Sequence, residues 1–158
     1  MDILLEQLLE TWRTNNRVNL FLIDQISEAG MKCTLSKRGG RNVARQFAHL
    51  HNVRLWQLES RAGELSEGLY KFQTAEEPDK AKLKACLIAS GERIEAFIEG
   101  CVTGSQQYRC FKKGIIPFVG YLISHESHHR GNILLTLKQC GHPLDKKARY
   151  AIWDWDRL

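Results

Sequence analysis

Apolar residues recur at three- and four-residue spacings along most of this chain, the period of a helix with one buried face. In residues 3–29 the stripe is Ile3, Leu4, Leu8, Val18, Phe21, Leu22 and Ile26, and Gly30 marks its end. A polar linker, MKCTLSKRGGR, follows with Gly39 and Gly40 at its turn. Asn42 is placed to cap a second helix reaching about Gly63, striped by Val43, Phe47, Leu50, Arg54 and Leu58. Residues 63–77 read as a loop. Pro78 and Asp79 then open a third helix, from about Lys80 to Val102, striped by Leu83, Leu87, Ile94, Phe97 and Ile98. A second connection, 103–114, is expected to hold a short extended piece at Tyr108–Phe111. The fourth helix runs from about Ile115 to Cys140, stopped by Gly141 and Pro143. The tail LDKKARYAIWDWDRL has no helical stripe, and Trp153 and Trp155 predict that it docks on the body.

Four long amphipathic helices without strands predict an all-α fold, a four-helix bundle. Two connections of near a dozen residues point to an arrangement other than simple up-down-up-down. The 158 residues suffice for one domain, 1–158, with a real core. No apolar run approaches the roughly 20 residues that span a bilayer. Asp2 and Glu6 interrupt the leucines of the start, unlike an export signal, so the expected compartment is the cytoplasm. The five cysteines (Cys33, Cys86, Cys101, Cys110 and Cys140) form no CxxC pair and read as reduced thiols.

The net charge of +5 is unevenly spread. Lys32, Lys37, Arg38, Arg41 and Arg45 fall between residues 31 and 45 with no acid among them. Such a run can contact phosphates, but a solvated loop and helix end is the favoured reading. No aromatic residue interleaves with these charges, so nucleic acid is not an expected partner.

The sharpest chemistry is SHESHHRGN, residues 124–132, where three of the six histidines fall. At about 100° per residue, the apolar face is set by Ile115, Phe118, Val119, Leu122, Ile133 and Leu137. His129 lies about 60° from its centre, His125 about 100° away, and His128 nearly opposite. His125 and His129, one turn apart, can therefore offer two nitrogens to one metal ion, and His128 should be wet. A third ligand is available from FAHLHNVRLW on the second helix, where His49 and His51 flank the apolar stripe on opposite sides. Spacing does not separate those two, and His142, beyond the helix stop, is a weaker candidate. The letters His125-Glu126-x-x-His129 match HExxH, whose glutamate is a general base in zinc proteases. Glu126, however, falls near the middle of the apolar face, where an unpaired carboxylate is costly. Arg130, four residues on, is its expected ion-pair partner.

HESHHRGNILLTLKQCGHPL resembles the last-helix signature of the DinB/YfiT-like superfamily, a HxxxHRGQ segment followed by an apolar stretch and a G-x-P stop. AHLHNVRLW resembles that superfamily's second-helix pattern, and the tail AIWDW a family ending. The resemblance implies a bundle holding a divalent metal on His49, His125 and His129. Asn132 stands where the motif usually has Gln. Three imidazoles with open coordination positions suit a reactive zinc or nickel ion. Family resemblance further implies a thiol-dependent S-transferase or a hydrolase acting on a small molecule, with a low-molecular-weight thiol as co-substrate, and a homodimer. The alternative is a non-enzymatic dimeric metal-binding or stress-response protein. No residue beyond the ligands receives a catalytic role from sequence.

Overall fold

The computed structural model describes residues 3–158, and the fold is all-α. Four long helices, α1 (Ile3–Gln25), α3 (Val43–Arg61), α5 (Lys80–Thr103) and α6 (Ile115–Gln139), carry the core. Three short ones, α2 (Glu28–Met31), α4 (Gly63–Ser66) and α7 (Lys146–Ala151), sit in the connections and tail. The described helices thus number seven, against the four that periodicity predicts. The extra ones are single turns or little more, too short to show a stripe.

The predicted first helix breaks at Gln25 because Ser27 caps a new turn, its Oγ accepting from Gly30 N at 3.0 Å. Gly30 is no stop signal. It is buried inside α2, where a Cβ would lie 3.0 Å from Leu137 Cδ2 of α6. Asn42 does cap α3, accepting from Arg45 N at 2.9 Å, and Asp79 caps α5, accepting from Lys82 N at 2.7 Å. Gly141 ends α6 at φ 80°, with His142 N bonded to Leu137 O at 2.9 Å, a Schellman closure. The extended piece expected at Tyr108–Phe111 is not a strand. Arg109 N instead bonds Arg61 O at 3.0 Å, tying that loop to the end of α3. In the tail, Leu144, Ala148 and Ile152 do the docking, while Trp153 is 74% exposed.

Two apolar clusters lie at opposite ends of the molecule. One joins Leu22, Phe47, Leu87 and Leu137; the other joins Leu9, Leu58, Phe97 and Phe118. The starts of α3 and α5 and the ends of α1 and α6 share the first cluster. The helices therefore run up, down, down and up, with α1 and α3 each packed between α5 and α6. Because α3 and α5 run the same way, the chain between them must travel the length of the molecule. Residues 67–79 do so along the outside of α3. His51 Nε2 meets Tyr70 O at 2.6 Å, and Asn52 exchanges two bonds with the Phe72 backbone, at 2.9 and 3.1 Å.

Between the clusters lies a buried polar layer: Asn15 and Asn19 of α1, Arg54 of α3, Ser90 of α5, Glu126 and Arg130 of α6. Glu126 is 1% exposed and Arg54 fully buried. Burial alone would raise the Glu126 pKa, but Arg54, Arg130 and Asn19 together outweigh this and hold the carboxyl below its ordinary value.

Candidate metal centre

α3 and α6 are neighbours, and each turns one edge of its buried face toward the other. On α6 the register that sends Glu126 into the core leaves His125 and His129 at the rim of that face, half-buried. On α3 the same logic leaves His49 at the rim beside Phe47 and Leu50. The three rims meet. His49, His125 and His129 bring one ligand atom each to within 4.8 Å of one another, a group that could hold a metal ion. Ring centroids are 5.3 Å (His49–His125), 4.8 Å (His49–His129) and 4.7 Å (His125–His129) apart, all edge-on.

Two physical features suit these rings to a cation. Burial, then the charge of Arg41 and the neighbouring histidines, lowers the His49 pKa to about 4. Burial and the adjacent His125 bring His129 to about 4 as well, and burial also lowers His125. All three are therefore neutral near pH 7, the form that ligates metals. In addition, Nδ1 of His125 and of His129 is buried without a hydrogen-bond partner. Buried polar atoms are normally satisfied, and a bound ligand could satisfy this pair.

The neighbouring histidines separate cleanly from the three. His51, the other half of the tie on α3, is fully buried and bonded to the Tyr70 carbonyl, so it fastens the crossover. His128 is exposed and within 3.1 Å of Asn132 Nδ2. His142 is exposed beyond the end of α6. Asn132, at the position where the motif usually has Gln, thus faces solvent one turn from His128.

Glu126 does not join the cluster. Its carboxylate accepts from Arg54 Nε at 2.6 Å and Nη2 at 3.0 Å, and from Asn15 and Asn19 at 2.6 and 2.7 Å. The expected Arg130 pair is real but secondary, at 3.9 Å, with Arg130 bonding Asn19 Oδ1 at 2.9 Å. Arg54 falls on the apolar stripe of α3, and that position was the available signal for a buried ion pair. The HExxH letters carry no general base here, because the carboxylate is committed to the core.

A cleft of about 290 Å³ opens beside His49, walled by Arg41, Arg45, Trp56 and, from the crossover, Lys71 and Phe72. A second of about 290 Å³ opens beside His129, lined by Ser36, Arg41 and Asn132 among others. Arg41 stands between the two.

The family model of the DinB family matches residues 116–151. Over that segment the chain is similar to the DinB family. The matched segment carries His125, His129 and the Gly141 stop of α6, whereas His49 lies outside it. No curated protein and no solved structure matches significantly. No described helix is long and apolar enough to cross a membrane.

Proposed function

We propose that this chain is a divalent-metal-dependent enzyme on a single-domain four-helix-bundle frame, with His49, His125 and His129 as the ligands. Convergence of three neutral, half-buried imidazoles from two helices carries the proposal. Zinc and nickel both suit an all-imidazole set that leaves coordination positions open. A divalent cation bound there would lower the pKa of a thiol or water and polarise a carbonyl. That chemistry fits a thiol-dependent S-transferase first and a hydrolase second, acting on a small molecule in the cytoplasm. The chain's own part is to hold three rings neutral and fixed, and to exclude solvent from one side of them. The Glu126–Arg54 pair fixes the register of α6 against α3, and with it the distance between His49 and the other two rings.

Metal content of the purified protein, set against His49→Ala, His125→Ala and His129→Ala, tests this. One equivalent of metal in the parent and loss in each variant is expected. Metal-free protein, or uptake indifferent to all three substitutions, refutes it.

A second reading, a non-enzymatic homodimer, draws on exposed apolar side chains. Ile3 is 74% and Ile116 58% exposed, at the starts of the parallel helices α1 and α6. A metal-loaded dimer in sedimentation that is inert toward a panel of thiols and electrophiles would favour it.

A further inference from the structure

The cations around the histidine cluster are not equivalent. Arg45 is paired with Glu77, which also accepts from Asn42, and Lys71 is 3.3 Å from Glu59. Arg41 has no ion-pair partner and donates no side-chain hydrogen bond among the described residues. It lines both clefts, with His49 in one and His129 in the other, and its charge bears on all three rings. A guanidinium is planar, always charged and shaped for two parallel bonds to one carboxylate.

The backbone that carries Arg41 is fixed rather than free. Thr34 Oγ1 donates to Arg41 O at 3.4 Å, and Val43 N to Cys33 O at 3.0 Å. Ser36 Oγ closes the turn from within, accepting from Gly40 N at 2.8 Å and Arg38 N at 3.3 Å. The cation is therefore presented from a stapled loop at the threshold of α3. Trp56, in the lining of the same cleft as Arg41, is 45% exposed with its ring 6.1 Å from that of His49. A large aromatic left half in water on a cleft wall offers an apolar surface to a ligand.

We propose that the site takes a monoanionic carboxylate ligand, its carboxylate held by Arg41 and its apolar body against Trp56, beside the histidine cluster. This rests on the metal reading above and names the class of molecule the centre would act on. The one guanidinium left without a partner offers two parallel donors, the geometry that a carboxylate accepts. The two paired cations shape the wall without adding net charge.

The test uses the full chain loaded with cobalt(II), whose visible absorption reports a ligand arriving at the metal. The probes are 3-mercaptopropionate and its neutral counterpart 2-mercaptoethanol. The parent should bind the carboxylate probe at least about tenfold more tightly, a difference of about 1.4 kcal/mol. Arg41→Gln should remove that preference while leaving cobalt uptake and 2-mercaptoethanol affinity unchanged. Arg41→Lys should retain only part of it, because the two-bond geometry is lost. Equal affinities in the parent, or a preference that survives Arg41→Gln, overturns the proposal. A second measurement separates the two readings. Propionate, with 1-propanol as control, is titrated into metal-free protein and followed by NMR at the Arg41 Nε–H and Trp56 indole resonances. Shifts at both with propionate alone support the carboxylate site, and no shift overturns it. Absence of cobalt uptake overturns the metal reading, and the propionate titration then decides the carboxylate site by itself.

Discussion

Arg54 of α3 and Glu126 of α6 meet at 2.6 Å in the middle of the protein, with side chains 0% and 1% exposed. Their neighbours complete the layer. Arg54 also reaches Asn16 at 2.8 Å and the Leu87 carbonyl at 2.9 Å, and its guanidinium lies 4.7 Å from the centre of the Trp12 ring. One residue pair thereby ties all four long helices together at a single level.

Removing one member of this pair should be severe, because the other is left as a buried, unpaired charge. Arg54→Met should lower stability by about 3–5 kcal/mol, measured by urea unfolding. The double variant Arg54→Met/Glu126→Leu should recover part of the loss. A loss below about 1 kcal/mol in the single variant would show that the pair does not organise the layer.

Stability should depend on pH through the histidines. Burial holds His49 and His129 down to about 4 in the folded chain, against 6.5 for a free imidazole. As pH falls from 6.5 toward 4, the unfolded chain takes up protons that the folded chain does not, so stability declines across that window. Glu126, with its folded pKa lowered from 4.5, adds a further loss below that value. Urea midpoints at a series of pH values should show the decline, and His49→Gln/His129→Gln should flatten the upper part of it. A parent midpoint constant from pH 7 to 5 would contradict the neutral cluster.

Bound metal should stabilise the fold, by about 2.7 kcal/mol at a free concentration one hundred times Kd. Thermal unfolding with and without zinc should show this shift in the parent and in His128→Ala. It should vanish in His129→Ala, since His128 is exposed and His129 belongs to the cluster. Equal responses of the two variants would remove the distinction between adjacent histidines.

His51→Ala should free the crossover. It deletes the bond to the Tyr70 carbonyl and the edge contact to the Phe72 ring, 5.5 Å away. A hydrogen bond of this kind contributes about 0.5–1.5 kcal/mol. Amide exchange at residues 70–74 should accelerate more than in α5, and the cleft wall at Phe72 should loosen. Uniform exchange rates would show that the crossover is held by other contacts.

The sequence by itself determined the four long helices, the caps at Asn42 and Asp79, and the stop at Gly141. Each of these follows from period and from bonds made within a few residues. It also determined which of the α6 histidines could look inward, because register along one helix is fixed by its apolar stripe. The stripe on α3 did not separate His49 from His51; the resemblance implied His49, and the tertiary structure puts it beside His125 and His129. Both α3 histidines flank the same stripe, and their placement depends on which helix packs on which side. Only the tertiary structure decided that Glu126 belongs to Arg54 before Arg130. Partners on different helices are chosen by packing, which brings residues 72 positions apart to 2.6 Å. Arg41 shows the same limit from the other side. In sequence it is one of five cations in a basic run; in three dimensions it is the cation left unpaired beside three imidazoles, because Glu77 and Glu59 fold back onto its neighbours.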